Sequence, residues 1–298
     1  IGDAQGILPA MRIITPADLQ LIDMALVEDL GRGDVTSQAV VDPGSTAVAH
    51  LVARQRLTLA GVDVATAVFR RLDASITVES FLADGEEAEP GTGVATYRGS
   101  ASALLAGERT ALNFVQHLSG IASQTRRYVQ AAQGTRLRIT DTRKTTPGFR
   151  MLEKYAVCMG GGRNHRFDLG SGVLIKDNHL AVAGSVAGAI RQAKARVPHS
   201  LKIEVEVDTL AQLDEALVEG VDIVLLDNFS DDDLRAALLA VGKAKVRPLI
   251  EVSGGVTLAR VPELAGLGVD LVSVGALTHS APAVDLALDM EIAPGSGL

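Results

Sequence analysis

Residues 202–229 read KIEVEVDTLAQLDEALVEGVDIVLLDNF. An apolar, β-branched run alternates with glutamate, an amphipathic stretch follows, and after Gly220 a second apolar run ends on Asp227 and Asn228. The pattern predicts strand, helix, strand. The same rhythm extends to both sides. LRITD (137–141) and VLIKD (173–177) precede it; PLIEV (248–252) and DLVSV (270–274) follow it. The intervals between Lys176, Glu206, Asp227, Glu251 and Val274 are 30, 21, 24 and 23 residues. That is the spacing of βα units, so the sheet is expected to be parallel. Its strands are nearly continuous in apolar residues, as covering both faces requires. Six strands, not eight, can make an open doubly wound sheet or a reduced barrel. Polar groups end almost every strand, which favours the barrel; an open sheet would gather them at one switch point.

Before about residue 110 the organisation differs. Thr15 or Asp18 can open a helix through LQLIDMALVED, with Leu19, Ile22, Ala25 and Leu26 on one face. LGRGDVTSQ (30–38) has the composition of a loop. TAVAHLVAR (46–54) alternates like a half-buried strand, and SITVESFLADGEEAEPG (75–91) reads as a strand, a DG turn and an acidic loop. Residues 102–132 are helical, with Leu105, Leu112, Val115, Leu118 and Ile121 on an apolar face that Gly120 interrupts.

Composition narrows the function. The chain has 298 residues and 47% hydrophobic content, enough for one large domain or two smaller ones. A net charge of -8 argues against non-specific nucleic-acid binding. One cysteine, Cys158, excludes an internal disulfide and fits a reducing, cytoplasmic compartment. No apolar run approaches the roughly 18–20 residues of a membrane span, and the N-terminal stretch shows no basic leader before an apolar core.

The charge reverses locally. Between Asp141 and His179 stand seven Lys and Arg against four Asp and Glu, with His165 and His179 besides. Arg143 and Lys144 follow the first strand of the series, and Lys176, Asn178 and His179 end the second. Glu206, Asp227 with Asn228, and Glu251 with Ser253 end the next three. A barrel mouth with cations on one side and carboxylates on the other suits an anionic substrate with hydroxyls or a divalent cation. VSGGVT (252–257) and SVGALTH (273–279) each put glycine between a strand and a helix. Paired loops of this kind after the last two strands of a barrel commonly cradle phosphate. Blander roles compete. Glu206 and Asp227 also fit simple pairing with neighbouring lysines. Asp208 reads as a helix cap, Arg150 and Lys154 as an exposed helical face, and Cys158 as core. His165 and His179 have no cysteine or carboxylate at zinc spacing.

DTRKTTPGFRMLEKYAVCMGGGRNHRFDLGSGVLIKDNH (141–179) resembles the signature region of the quinolinate phosphoribosyltransferase family. EDLGRGDVTS (28–37), ERTALNFVQHLSGIAS (108–123), KIEVEVDTLAQLDEAL (202–217), VLLDNF (224–229), VSGGV (252–256) and VGALTHS (274–280) resemble it in the same order. The resemblance implies an N-terminal α/β sandwich domain (1–115), a reduced, six-stranded parallel α/β barrel of the type II phosphoribosyltransferase kind (116–280), and a C-terminal segment (281–298) packing back on the first domain. It implies transfer of phosphoribosyl from phosphoribosyl pyrophosphate to quinolinate with Mg²⁺, giving nicotinate mononucleotide, pyrophosphate and CO₂ for NAD biosynthesis. It also implies a homodimer or larger assembly in which Arg109 reaches the partner's site. Carried over residue by residue, Thr142, Arg143, His165, Arg166 and Arg109 would hold quinolinate. Lys144 and Lys176 would lie between the two substrates, with Glu206 and Asp227 at ribose hydroxyls and the Mg²⁺ shell. Ser253, Gly254, Gly255, Val274, Gly275 and Ala276 would cradle the 5'-phosphate. Ser171 stands where the family pattern is expected to carry Asp.

Three rivals compete with this reading: a paralogous phosphoribosyltransferase with another acceptor, a Schiff-base aldolase using Lys176, and a non-catalytic sugar-phosphate binder. Lys202 begins its strand, the wrong end of a barrel for chemistry.

Overall fold

A computed structural model describes residues 14–292. Residues 1–13, on which the expectation about a leader falls, and the last six residues lie outside the described residues. In chain order the elements are α1 (Pro16–Leu30), α2 (Val35–Val40), β1 (Thr46–Ala53), β2 (Leu57–Thr58), α3 (Val62–Leu72), β3 (Thr77–Ser80), β4 (Glu87–Ala88), β5 (Gly93–Ser100), α4 (Ala101–Ala131), β6 (Arg138–Thr140) and α5 (Arg150–Met159). Then come β7 (Val173–Ile175), α6 (Asp177–Ala183), α7 (Val186–Arg196), β8 (Ile203–Val207), α8 (Leu210–Glu219), β9 (Ile223–Asp227) and α9 (Asp231–Gly242). The chain closes with β10 (Leu249–Ser253), α10 (Val261–Leu267), β11 (Leu271–Ser273), α11 (Ala276–His279) and β12 (Leu286–Ile292). They form two compact units. One takes the residues up to 126, then 146–161 and the chain from 280 onward; the other takes 127–145 and 162–279.

The second unit holds all six strands of the βα series in one parallel sheet, ordered β6-β11-β10-β9-β8-β7. From β7 to β11 each strand lies beside its sequence neighbour, and the last, β11, lies beside the first, β6. That is a barrel's order, opened between β6 and β7; a doubly wound sheet would instead reverse direction of growth at a switch point. Val205, Val224, Ile250 and Val272 are fully buried in the strands. Leu213 and Ala216 of α8 and Leu234 and Ala237 of α9 supply the helical face of that core. Each full burial of a Val, Leu or Ile side chain is worth about 1.5–3 kcal/mol. Capping serines and threonines fix where the helices start. Ser230 accepts the Asp233 N–H at 3.2 Å for α9. Thr209 accepts the Gln212 N–H at 3.3 Å for α8. The cap of α8 is thus Thr209, not Asp208, whose N–H instead donates to Gln212 Oε1.

In the first unit an antiparallel sheet is ordered β12-β1-β5-β3, so the C-terminal strand pairs with β1. Phe69 of α3 packs on Tyr97 of β5 with ring centres 4.7 Å apart. Thr15 caps α1 and Asp18 returns the bond, a capping box. Several expectations need correction. VTSQAV (35–40) is helical, because the Asp34 carboxylate accepts the Ser37 N–H at 3.0 Å and caps it. Leu105 is exposed, although Leu112, Val115, Leu118 and Ile121 are buried as expected. Helix α4 runs unbroken through residue 115. Segment 146–161 belongs with the first unit. There Phe149 stacks on Phe114 at 5.5 Å, and buried Glu153 accepts the Thr146 N–H at 3.1 Å and lies 3.0 Å from His117 Nε2. Lys154, expected on an exposed face, is fully buried in α5.

Gly120 does not interrupt α4. It is a contact point: a Cβ there would meet the Pro282 carbonyl oxygen at 2.2 Å. Neither partner is a side chain that can swing away. Gly120→Ala should therefore lower stability by about 1–3 kcal/mol through overpacking, despite alanine's better helix propensity. The check is the denaturant midpoint of the variant against wild type; an unchanged or raised midpoint would contradict the contact.

Candidate active site

A cavity of about 780 Å³ opens at the C-terminal ends of the second unit's strands. Thr142, Arg143, Lys144, His165, Arg166, Lys176, Glu206, Asp227, Ser253, Gly254, Gly255, Val274, Gly275 and Ala276 all line it. Of the residues expected at the site, Arg109 stands apart, exposed on α4 in the first unit.

The cationic wall is built from β6 and the segment after α5. Arg163 donates its N–H to Ile139 O at 2.8 Å and accepts from Asp141 N–H at 3.1 Å, so residues 163–166 run beside β6 like a short added strand. Buried Asp141 secures the join. Its carboxylate accepts the His165 N–H at 2.9 Å and the Asn164 amide at 2.6 Å. This sets Arg166 next to Arg143. Arg166 donates to the Gly172 carbonyl at 3.0 Å. Burial, and then the neighbouring Arg143 charge, lower its pKa below the usual guanidinium value. Arg143 Nε is buried with no hydrogen-bond partner among the described residues. Two guanidinium groups that repel each other, one with an orphaned buried N–H, are matched by an anion that accepts from both. A carboxylate does this in a planar, bidentate fashion.

His165 is engaged at both ring nitrogens. Nδ1 accepts the Arg166 backbone N–H at 2.8 Å. The Nε2 side therefore carries the proton and faces Glu204 at 3.0 Å and Glu251 at 3.7 Å. The ring's contacts thus hold the Arg166 backbone to the barrel floor. Glu204 and Glu251 are both buried, and each keeps one oxygen, Oε1, without a hydrogen-bond partner among the described residues. Burial, and next the Glu204 charge, push Glu251 up to about 7. The ligand atoms of His165, Glu204 and Glu251 lie within 4.8 Å of one another, a grouping that sequence spacing does not reveal. The three come from a loop and two strands. One signal was available: Glu204 and Glu206 are two apart on β8 and so share a face.

Opposite stand the carboxylates. Glu206 ends β8 and Asp227 ends β9, adjacent strands of the sheet. Lys176 Nζ donates to Glu206 Oε2 at 2.5 Å. The pair is partly exposed and contributes at most about 1 kcal/mol to stability. His179 Nδ1 accepts the Lys176 backbone N–H at 3.0 Å, tightening the start of α6. Glu206 and Asp227 are oxygen donors of the kind Mg²⁺ takes one or two at a time, alongside waters and substrate phosphates. The residues therefore fit such an ion. Lys202 precedes β8 and pairs with Asp222 at 3.0 Å, at the other end of the sheet. The Ser171 hydroxyl donates to Asp168 at 2.6 Å, and that bond lowers the Asp168 pKa. Asn228 and Glu251, with Leu174, Leu225, Val256, Ser273 and His279, complete the lining; the sequence assigns no role to the last five.

Comparison with known proteins agrees along the chain. Residues 34–119 match the quinolinate phosphoribosyl transferase N-terminal domain, and residues 121–289 match the C-terminal domain. The nicotinate-nucleotide pyrophosphorylase [carboxylating] of Mycobacterium leprae is 45% identical over 278 residues, 90% of this chain and 95% of the relative. The Homo sapiens enzyme of that name is 38% identical over 297 residues, 98% of each chain. The crystal structure of NadC from Streptococcus pyogenes superposes with a TM-score of 0.90 at 41% identity, covering 95% of this chain and 100% of that one. Two domain matches in order and full-length relatives at this identity leave one assignment: the chain belongs to the quinolinate phosphoribosyl transferase family.

Proposed function

We propose that this protein transfers phosphoribosyl from phosphoribosyl pyrophosphate to the nitrogen of quinolinate with loss of CO₂, giving nicotinate mononucleotide and pyrophosphate. The observation that carries this reading is the split cavity, with Arg143 and Arg166 on one wall and Glu206 and Asp227 on the other. A dianionic pyridine fits the first wall and a sugar developing positive charge fits the second. The relatives' shared name, carboxylating nicotinate-nucleotide pyrophosphorylase, supports it.

The proposed mechanism follows from the charges. Thr142, Arg143 and Arg166 bind the quinolinate carboxylates, and His165 fixes the backbone that carries Arg166. Arg109 of a second copy completes that pocket in a homodimer. Lys144 and Lys176 lie between quinolinate and the phosphates. Glu206 and Asp227 take the ribose hydroxyls and would hold Mg²⁺, which when bound neutralises pyrophosphate charge. Ser253, Gly254, Gly255, Val274, Gly275 and Ala276 receive the 5'-phosphate through backbone N–H groups. As the bond from C1 to pyrophosphate breaks, the lysines stabilise the departing oxygen and the carboxylate wall tolerates the cationic sugar. The pyridine nitrogen closes on C1 and becomes cationic, so the adjacent carboxylate leaves as CO₂; its bonding pair stays on the ring carbon as an ylide stabilised by that nitrogen, and a proton from solvent completes nicotinate mononucleotide. The protein supplies no covalent nucleophile; it contributes positioning and electrostatics. The single cysteine supports a reducing, cytoplasmic setting, and among the described residues no helix is long and apolar enough to cross a membrane.

The deciding assay supplies phosphoribosyl pyrophosphate, Mg²⁺ and either quinolinate or nicotinate. CO₂ and mononucleotide are expected from quinolinate and nothing from nicotinate; turnover of nicotinate, or none of quinolinate by folded protein, would sink the proposal. Arg143→Ala should weaken quinolinate binding by roughly tenfold to a hundredfold, the worth of a charge-assisted hydrogen bond. Titration calorimetry measures it, and unchanged affinity would remove Arg143 from the pocket. Arg109→Ala and Lys176→Ala variants, each inactive alone, should regain activity when mixed, because hybrid dimers rebuild one intact site. Absence of recovery after proven subunit exchange would mean the site is not shared.

A further inference from the structure

Asn228 has the one positive φ, 54°, among the described non-glycine residues. It follows Asp227 at the end of β9 and lines the cavity. A left-handed backbone is uncommon outside glycine, although asparagine tolerates it best, and such residues concentrate at functional sites. Here the conformation has a visible result. It turns the carboxamide back between two parts of the cavity that belong to different strands. Nδ2 donates to Asp227 Oδ2 at 2.8 Å. Oδ1 lies on Gly254, where a Cβ would come within 2.1 Å of it. The Asn228 N–H donates to Ser253 O at 3.3 Å, and Ser253 pairs with Asp227 in the β9–β10 register. Gly254 answers with φ +91°, so it is excluded from bearing a side chain both by its backbone and by the asparagine.

We infer that Asn228 is a positioning residue for phosphoribosyl pyrophosphate: its carboxamide sets the Asp227 carboxylate, for the ribose, against the Gly254–Gly255 turn, for the 5'-phosphate. The inference rests on the roles proposed for those two elements. Ribose hydroxyls and the 5'-phosphate are joined by a few bonds in one substrate, so their receptors must stay within a narrow range of separations. Strands β9 and β10 supply one receptor each, and their hydrogen bonds end where the receptors begin. Asn228 supplies the side-chain link beyond that point. It also leaves Asp227 with one oxygen constrained and the other directed by that constraint.

The test separates backbone from side chain. Asn228→Gly keeps the left-handed conformation and removes the carboxamide; Asn228→Asp keeps the shape and replaces the donor by a second carboxylate. Phosphoribosyl pyrophosphate is titrated onto each variant with Mg²⁺ present, and KM is measured separately for both substrates. Asn228→Gly should bind phosphoribosyl pyrophosphate about tenfold more weakly, Asn228→Asp more weakly still, with the KM for quinolinate and the thermal midpoint near wild type. Wild-type affinity in Asn228→Gly overturns the inference. So does an equal loss for both substrates with a lowered midpoint, which marks a merely structural role. Asp227→Asn is the parallel control. If it leaves phosphoribosyl pyrophosphate binding unchanged, the reading of Asp227 itself fails and the inference falls with it; if it weakens binding while Asn228→Gly does not, only the inference falls.

Discussion

A right-handed βα unit delivers the C-terminal end of every strand to the same edge of the sheet. The whole site depends on that constraint. Side chains far apart in sequence, Arg143, Lys176, Glu206, Asp227 and Ser253, become neighbours because each stands at or just past the end of a parallel strand. The strands themselves spend their residues on burial and carry little chemistry. The exceptions, Glu204 and Glu251, face into the same interior and meet His165 there. Their burial is costly, as the upward shift of Glu251 to about 7 records.

Much of this was legible beforehand because both signals involved are local. A strand ending in charge, followed by an amphipathic helix, is visible within one βα unit. Six such runs were read, and six strands formed in the order expected of a barrel. The residues beyond the strand ends were legible for the same reason. What was not legible came from packing between segments distant in sequence. Nothing in ERTALNFVQHLSGIAS says that the backbone at Pro282 will press on Gly120, so the glycine reads as a break when it is a contact. Lys154 sits four residues from Arg150 on a helix, and spacing alone cannot say that its face is buried. The His165 cluster escaped because ligand spacings are rules about one chain segment, whereas these three residues meet across strands.

Arginine, not lysine, occupies the wall that needs geometric precision. Burial, and then the neighbouring Arg143, disfavour the Arg166 charge. Lysines at both positions could relieve such strain by losing a proton, since a buried lysine's pKa falls readily. Guanidinium groups cannot, so the repulsion is stored until an anion arrives. The lysines are kept where flexibility is useful. Lys176 reaches a carboxylate on the neighbouring strand β8 and can exchange that partner for a phosphate oxygen.

Such a wall carries a hazard. An anion-hungry pocket would also accept inorganic phosphate or a simple carboxylate. Discrimination has to come from where the opposing groups stand, since charge alone does not select. Arg143 follows β6, Arg166 sits on the segment that Asp141 ties to that strand, and the carboxylates sit on β8 and β9. A small anion can satisfy one wall only. A ligand pair that is anionic at one end and hydroxylated with developing positive charge in the middle satisfies both. The rigid parallel frame makes the separation between the walls the selective quantity. The side-chain tethers of Asp141 and Asn228 act at the points where that frame ends, and there they carry its rigidity out to the groups that line the cavity.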